Sequence, residues 1–223
     1  MDVAIYLEGV RETDLRILRS VKNRFGSTHE VAVFKMGERG MEEVVNPSVF
    51  FLSRDRGPKP GAAIVPVLEG TRTMLVEVQA LVSPTKYGPP QRRCAGLDYN
   101  RVLVLLAVIE KYLGVHIGMS DVYLAVAGGV EVREPALDLG IAAAVLSSLR
   151  NRPLPPHTVV LGEIGLSGEI RPVRKAQERL REVEKLGFKR AILPHQEIGS
   201  ELGLELVRVK SVAEAGEALG LSG

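Results

Sequence analysis

The sequence predicts an α/β (α+β) protein: a small set of antiparallel strands, then a larger unit of interleaved strands and helices. Three observations carry this prediction. Short runs of β-forming residues recur through the first 45 residues with polar turns between them. A basic Pro/Gly-rich stretch follows at 53–61, SRDRGPKPG, which has the composition of a linker. Beyond it, strand-like runs alternate with segments whose apolar residues recur at helical spacing, the pattern of helices layered on a sheet. The expected division is therefore 1–52, a linker at 53–61, and 62–223.

Asp2 to Leu7 opens as a strand, Ile17 to Val21 forms a second, and Lys22 to Ser27 reads as a polar turn. Glu30 to Met36 is a third strand, and Met41 to Val45 a short last one after the Gly37–Gly40 turn. Four short strands alone are marginal, so this set reads as the edge of something larger. Asn46-Pro47-Ser48 opens a short turn or helix, and Phe50-Phe51-Leu52 is apolar enough to dock on a surface. After the linker, Ala62 to Leu68 and Thr73 to Ser83 are two strands, and Pro84 to Leu97 reads as a loop. Asp98 to Leu113 is a helix capped near Asp98 or Asn100, apolar nearly all round its middle and hence buried. Ser120 to Ala127 is a strand, and Pro135 to Leu149 a second buried helix whose small residues permit close packing. Val159 to Val173 reads as a hairpin, Arg174 to Leu186 as a third helix with Arg and Glu away from its apolar face. Ala191 to Leu193 and Leu204 to Val207 are strands, and Val212 to Leu219 closes as a helix.

With 223 residues the chain can bury a full core. A net charge of +2 is too small to imply a nucleic-acid partner by itself, so local clusters must carry that case. One cysteine, Cys94, excludes an internal disulfide and fits a reducing cytosol. No apolar run approaches the ~20 residues that span a bilayer, and the first residues lack the pattern of a signal peptide. A cytoplasmic location is expected. The histidines are scattered, with no HExxH or CxxC, so no metal site is expected. The chain has no Trp and few aromatics, which weakens any base-stacking platform.

The stretch 161–180, LGEIGLSGEIRPVRKAQERL, reads as strand, Gly-Leu-Ser-Gly turn, returning strand and helix. It resembles the segment that carries the catalytic lysine in the Lon family of ATP-dependent proteases. The order of elements over Ala62–Gly223 and the glycine-rich strand exit before a helix are similar too. The resemblance implies a Lon-protease-like domain of the ribosomal protein S5 domain 2-like type. In that family a serine at a helix start attacks the peptide carbonyl and a lysine takes its proton. The serine position corresponds to Asp138, within Leu137-Asp138-Leu139-Gly140, and the lysine position to Gln177. A carboxylate is a poor nucleophile towards an amide, and an amide side chain cannot act as general base. On a helix, Lys175 would point roughly 200° away from Gln177 and could not replace it. The dyad is read as lost, and Asp138 as a carboxylate favoured by the helix dipole.

Lys22-Asn23-Arg24-Phe25-Gly26 matches the K-N-R-F-G motif of the bacterial RadA (Sms) DNA repair family, which carries it between a RecA-like ATPase core and a Lon-like domain. Asn46-Pro47-Ser48 and the Pro84–Arg101 segment are similar as well. The resemblance implies that residues 1–52 are terminal strands of a RecA-like domain. It also implies a C-terminal fragment, because neither a zinc finger nor a P-loop is present. In the intact protein ATP and Mg²⁺ would be bound elsewhere, with Lys22 and Arg24 reaching a neighbouring subunit's nucleotide; this fragment is expected to bind neither. The implied function is a DNA-dependent ATPase that processes recombination intermediates by branch migration and strand exchange. Its expected partners are single-stranded or branched DNA and a RecA-type recombinase, and its expected assembly a hexamer. Lys86, Arg92, Arg93, Arg101, Arg171, Arg174 and Lys175 are candidates for DNA phosphates. Two rivals stand beside this reading: an active peptidase with an atypical nucleophile, and a plain oligomerisation module.

Overall fold

The protein, in a computed structural model that describes residues 1–9, 14–25, 31–44, 48–52, 57–199 and 201–222, begins with four antiparallel strands in chain order. These are β1 (Val3–Gly9), β2 (Leu15–Asn23), β3 (Val31–Gly37) and β4 (Gly40–Glu43). Alternation gives the sheet two faces. Leu15, Ile17 and Val33 are buried in one apolar cluster with Phe51 and Leu75. On the other face Ile5, Leu7, Met36 and Met41 are exposed. The polar turn starts later than predicted. Lys22 and Asn23 still belong to β2, opposite Ala4 and Val3, past a register shift between Ala4 and Ile5. Gly26, Ser27, Thr28 and Glu30 lie outside the described residues.

A short helix, α1 (Ser48–Phe51), follows. Ser48 is buried and its Oγ accepts the Leu75 N–H at 2.9 Å, while Phe51 and Leu52 dock as expected. Val45, Asn46, Pro47 and the 53–56 part of the linker lie outside the described residues. Gly61 ends the linker with φ of 82°. A Cβ there would sit 2.2 Å from the Ala80 carbonyl oxygen, so only glycine fits.

The second sheet orders β5 (Ala62–Glu69), β6 (Arg72–Pro84), β8 (Ser120–Val126) and β7 (Arg92–Ala95). Strand β7 corrects the reading of Pro84 to Leu97 as a loop: it is an edge strand parallel to β8. Its formation is decided by side chains distant in sequence. Asp121 accepts the Gln91 N–H and the Thr85 hydroxyl, both at 2.8 Å. The Arg92 guanidinium donates to the carbonyls of Ser120 and, at 2.9 Å, Ile117.

Helix α2 (Tyr99–Leu113) is capped by Asp98, whose carboxylate accepts the Arg101 N–H at 2.7 Å. It is not buried all round: Val102, Leu105 and Ile109 face the core, while Leu103 and Tyr112 reach solvent. After a 3₁₀ turn (Pro135–Leu137), α3 (Asp138–Arg150) is buried along most of its length and crosses β5 and β6. A Cβ on Gly140 would meet Val65 Cγ2 at 2.2 Å, which is the close packing that the small residues predict.

The predicted hairpin is smaller than read. Strand β9 (Thr158–Val160) leaves it and pairs elsewhere, so the hairpin proper is β10 (Glu163–Ile164) with β11 (Ile170–Arg171). Helix α4 (Ala176–Lys185) follows, then β12 (Arg190–Pro194), β13 (Glu205–Val209) and α5 (Val212–Ala218). Strands β13, β12 and β9 form a parallel sheet with β12 central. Helix α4 starts two residues after Arg174. Lys175 is its N-cap, with a left-handed φ of 52°, so the angular argument that set Lys175 opposite Gln177 on one helix does not apply. No described helix is long and apolar enough to cross a membrane.

Candidate functional site

The β2 turn places its residues at the open end of the first sheet. The Arg24 N–H donates to the Asp2 carbonyl at 2.9 Å, extending the β1–β2 ladder. The Asn23 side chain accepts the Phe25 N–H at 3.0 Å and closes the turn. Lys22, Arg24 and Phe25 are exposed, and the Arg24 guanidinium reaches Asp2 at 3.3 Å. A pair this exposed adds little stability, so Arg24 can leave Asp2 for another anion at small cost. Gly26 lies outside the described residues.

Asp138 is the first residue of α3 and is 2% exposed. The Arg101 guanidinium grips it, with Nε on Oδ1 at 3.0 Å and Nη2 on Oδ2. Oδ2 also accepts the Ile164 N–H at 3.0 Å, and Arg101 Nη2 donates to the Ile164 carbonyl at 2.6 Å. The ion pair thus satisfies both backbone groups of Ile164, as a neighbouring strand would. Burial pushes the Asp138 carboxyl up, opposed by the Arg101 and Ile164 hydrogen bonds. The hydrogen bond to Asp138 raises Arg101 in turn. A carboxylate held this way has three of its acceptor positions taken by a guanidinium and a backbone N–H. Gln177 is half-buried on the first turn of α4 and makes a polar contact of its own.

The seven basic candidates separate. Arg101 is committed to Asp138. Arg92 is spent on carbonyls at the β8 entry. Arg171 pairs with Glu169 at 2.5 Å and Glu163 at 3.4 Å. Lys86 and Arg93 are exposed on the β6–β7 connection and β7, and Arg174 and Lys175 are exposed before α4. These last two join Leu68, Thr71, Glu134 and Pro135 in lining a cleft of about 550 Å³. Among the described residues no cluster of His, Cys, Asp and Glu could hold a metal ion. Cys94 is half-buried, and burial raises its thiol pKa, the opposite of an activated nucleophile.

One charged centre escaped the sequence reading. Arg179 is fully buried on the apolar face of α4, with Ala176, Leu180 and Val183. This corrects the expectation that the arginines of this helix lie on its other face. Its guanidinium pairs in bidentate fashion with Glu134 and donates to the Pro66 carbonyl at 2.7 Å and the Arg174 carbonyl at 2.8 Å. Glu134 also accepts the Leu68 N–H at 2.7 Å. The signal was present: Arg179 occupies an i+3 position in the stripe that Ala176 begins. Only an acceptor set drawn from β5 and the approach to α3 makes burial there tolerable.

Comparison with known proteins places this sequence in a family. The family described as subunit ChlI of Mg-chelatase matches residues 106–197. DNA repair protein RadA of Halalkalibacterium halodurans is 48% identical over 218 residues, which is 96% of this chain and 48% of the relative. The proteins of the same name from Synechocystis sp. and Pseudomonas aeruginosa are 50% and 49% identical, over 96% and 98% of the chain. The chain spans about half the length of these relatives. With nearly every residue aligned at such identity, the chain belongs to the RadA family of DNA repair proteins.

Proposed function

We propose that this chain is part of a DNA-dependent ATPase that processes recombination intermediates, by branch migration and strand exchange, during DNA repair in the cytoplasm. The observation that carries the reading is the 45–50% identity to proteins named DNA repair protein RadA. In this reading residues 1–52 complete a RecA-like ATPase domain, 53–61 link, and 62–223 form a Lon-like domain without peptidase activity. That domain serves hexamer assembly and DNA contact, beside a RecA-type recombinase. ATP and Mg²⁺ are held elsewhere in the longer protein. The share of this chain is Lys22 and Arg24, an exposed pair of cations able to meet phosphate in a neighbouring subunit. The bond set of Asp138 supports the non-proteolytic role, since three of its carboxylate's acceptor positions are taken by Arg101 and Ile164.

Retention of the purified chain on immobilised single-stranded DNA over a salt gradient tests the reading. Binding that falls steeply with salt is expected. Salt-insensitive behaviour would leave only the oligomerisation role, and turnover of unfolded casein would overturn the non-proteolytic one.

A further inference from the structure

A chain of charged groups runs from the first sheet to the wall of the 550 Å³ cleft. It begins on β2 at Arg19, whose guanidinium reaches Glu69 at the end of β5 at 2.6 Å and Glu8 of β1 at 3.7 Å. One residue before Glu69, the Leu68 N–H donates to Glu134 at 2.7 Å. Glu134 pairs with the buried Arg179, and Arg179 holds the Arg174 carbonyl at 2.8 Å, next to the strained N-cap Lys175. Apart from the 3.7 Å approach of Glu8, the links are charge-assisted hydrogen bonds or adjacency along the chain, and the inner carboxylates Glu69 and Glu134 are half-buried, where such bonds are stronger than in water.

The order of charges matters. Arg19 and Arg179 are the outer cations, and Glu69 and Glu134 are the two carboxylates between them. Glu69 and Glu134 repel, as does Glu8, while Arg19 offsets that repulsion. If β2 shifts and Arg19 leaves Glu69, Glu69 remains half-buried beside a second carboxylate. The strain is relieved by moving the Glu69–Thr71 turn, which carries with it the Leu68 N–H that holds Glu134. Helix α4 then loses part of its anchor. The same β2 strand ends in Lys22 and Asn23.

We infer that Arg19, Glu69, Glu134 and Arg179 form a relay that passes displacement of strand β2 to the Arg174–Lys175 wall of the cleft and to helix α4. Its use in signalling nucleotide state rests on the role proposed above for Lys22 and Arg24. The relay itself does not, and the experiment below contains neither nucleotide nor DNA, so the two can fail separately.

Hydrogen–deuterium exchange of the 223-residue chain reads it directly. Arg19→Ala is expected to speed exchange of the α4 amides by about fivefold or more. In Glu134→Gln these amides should already be fast, and adding Arg19→Ala should change them little, the non-additivity expected of one connected network. Acceleration confined to β2 and the β5–β6 turn would overturn the relay, as would additive effects in the double variant. If Arg19→Ala does not fold, Arg19→Gln keeps most of the side chain's length, removes the cation that offsets the repulsion on Glu69 and must give the same α4 response. An unchanged α4 in that variant overturns the relay equally.

Discussion

Arg101 and Asp138 together hold both backbone polar groups of Ile164: the carboxylate accepts its N–H at 3.0 Å and the guanidinium donates to its carbonyl at 2.6 Å. The pair fastens the β10–β11 hairpin to the starts of α2 and α3. Removing one partner leaves the other charge unpaired, and Asp138 has almost no water to turn to. Arg101→Ala should lower stability by about 3 kcal/mol, measured as the urea midpoint at constant m-value. A change below about 0.5 kcal/mol would mean that water replaces the guanidinium at no cost. Asp138→Ser in this chain should produce no hydrolysis of a fluorogenic peptide.

Gly140 fixes how closely α3 approaches β5. Since a Cβ there would meet Val65 Cγ2 at 2.2 Å, Gly140→Ala should destabilise by about 1–3 kcal/mol despite the better helix propensity of alanine. The companion Gly140→Ala/Val65→Ala should recover part of that loss in thermal unfolding, because the clash is with one methyl group.

Asp121 should give the acid limb of the stability curve part of its slope. Hydrogen bonds from the Gln91 N–H and the Thr85 hydroxyl hold its carboxyl below the ordinary value of about 3.8. A depressed native value means that the stabilisation is complete above the unfolded value and is lost as pH falls through the native one. Asp121→Asn should therefore flatten the loss of stability below about pH 4 while leaving the curve near neutrality nearly parallel to wild type. A side-chain NMR titration that finds an ordinary or raised value for Asp121 would remove this explanation.

Arg24→Ala in the intact protein should abolish DNA-stimulated ATP hydrolysis and leave nucleotide binding largely unchanged. Normal turnover would remove the trans-acting role of the β2 turn. For DNA contact, Lys86→Ala and Arg93→Ala should each reduce the slope of log affinity against log salt by about one. Arg92→Ala should instead loosen β7, visible as lost stability, because its guanidinium is bonded to backbone carbonyls.

Periodicity and punctuation made most of the fold legible. The four strands of the first sheet, the long β5–β6 pair, helices α2 to α5 and the Asp98 cap follow from local preferences that the residues express wherever they are. Strand β7 was not legible, because four residues with little β preference become a strand only when Asp121 and Arg92 meet partners about 30 positions away. Nor was the split between β9 and the β10–β11 hairpin, since parallel pairing with β12 is a long-range choice.

Local pattern alone placed short strands within the first 45 residues and small residues along α3. Tertiary structure alone decided what the charges do. Arg92, Arg101 and Arg179 have the same side chain, yet the first ties down an edge strand and the second grips Asp138. The third lies fully buried against Glu134. Chemistry fixes how many hydrogen bonds a guanidinium can give. Which acceptors surround it is set by elements brought together from across the chain, and no local pattern records that.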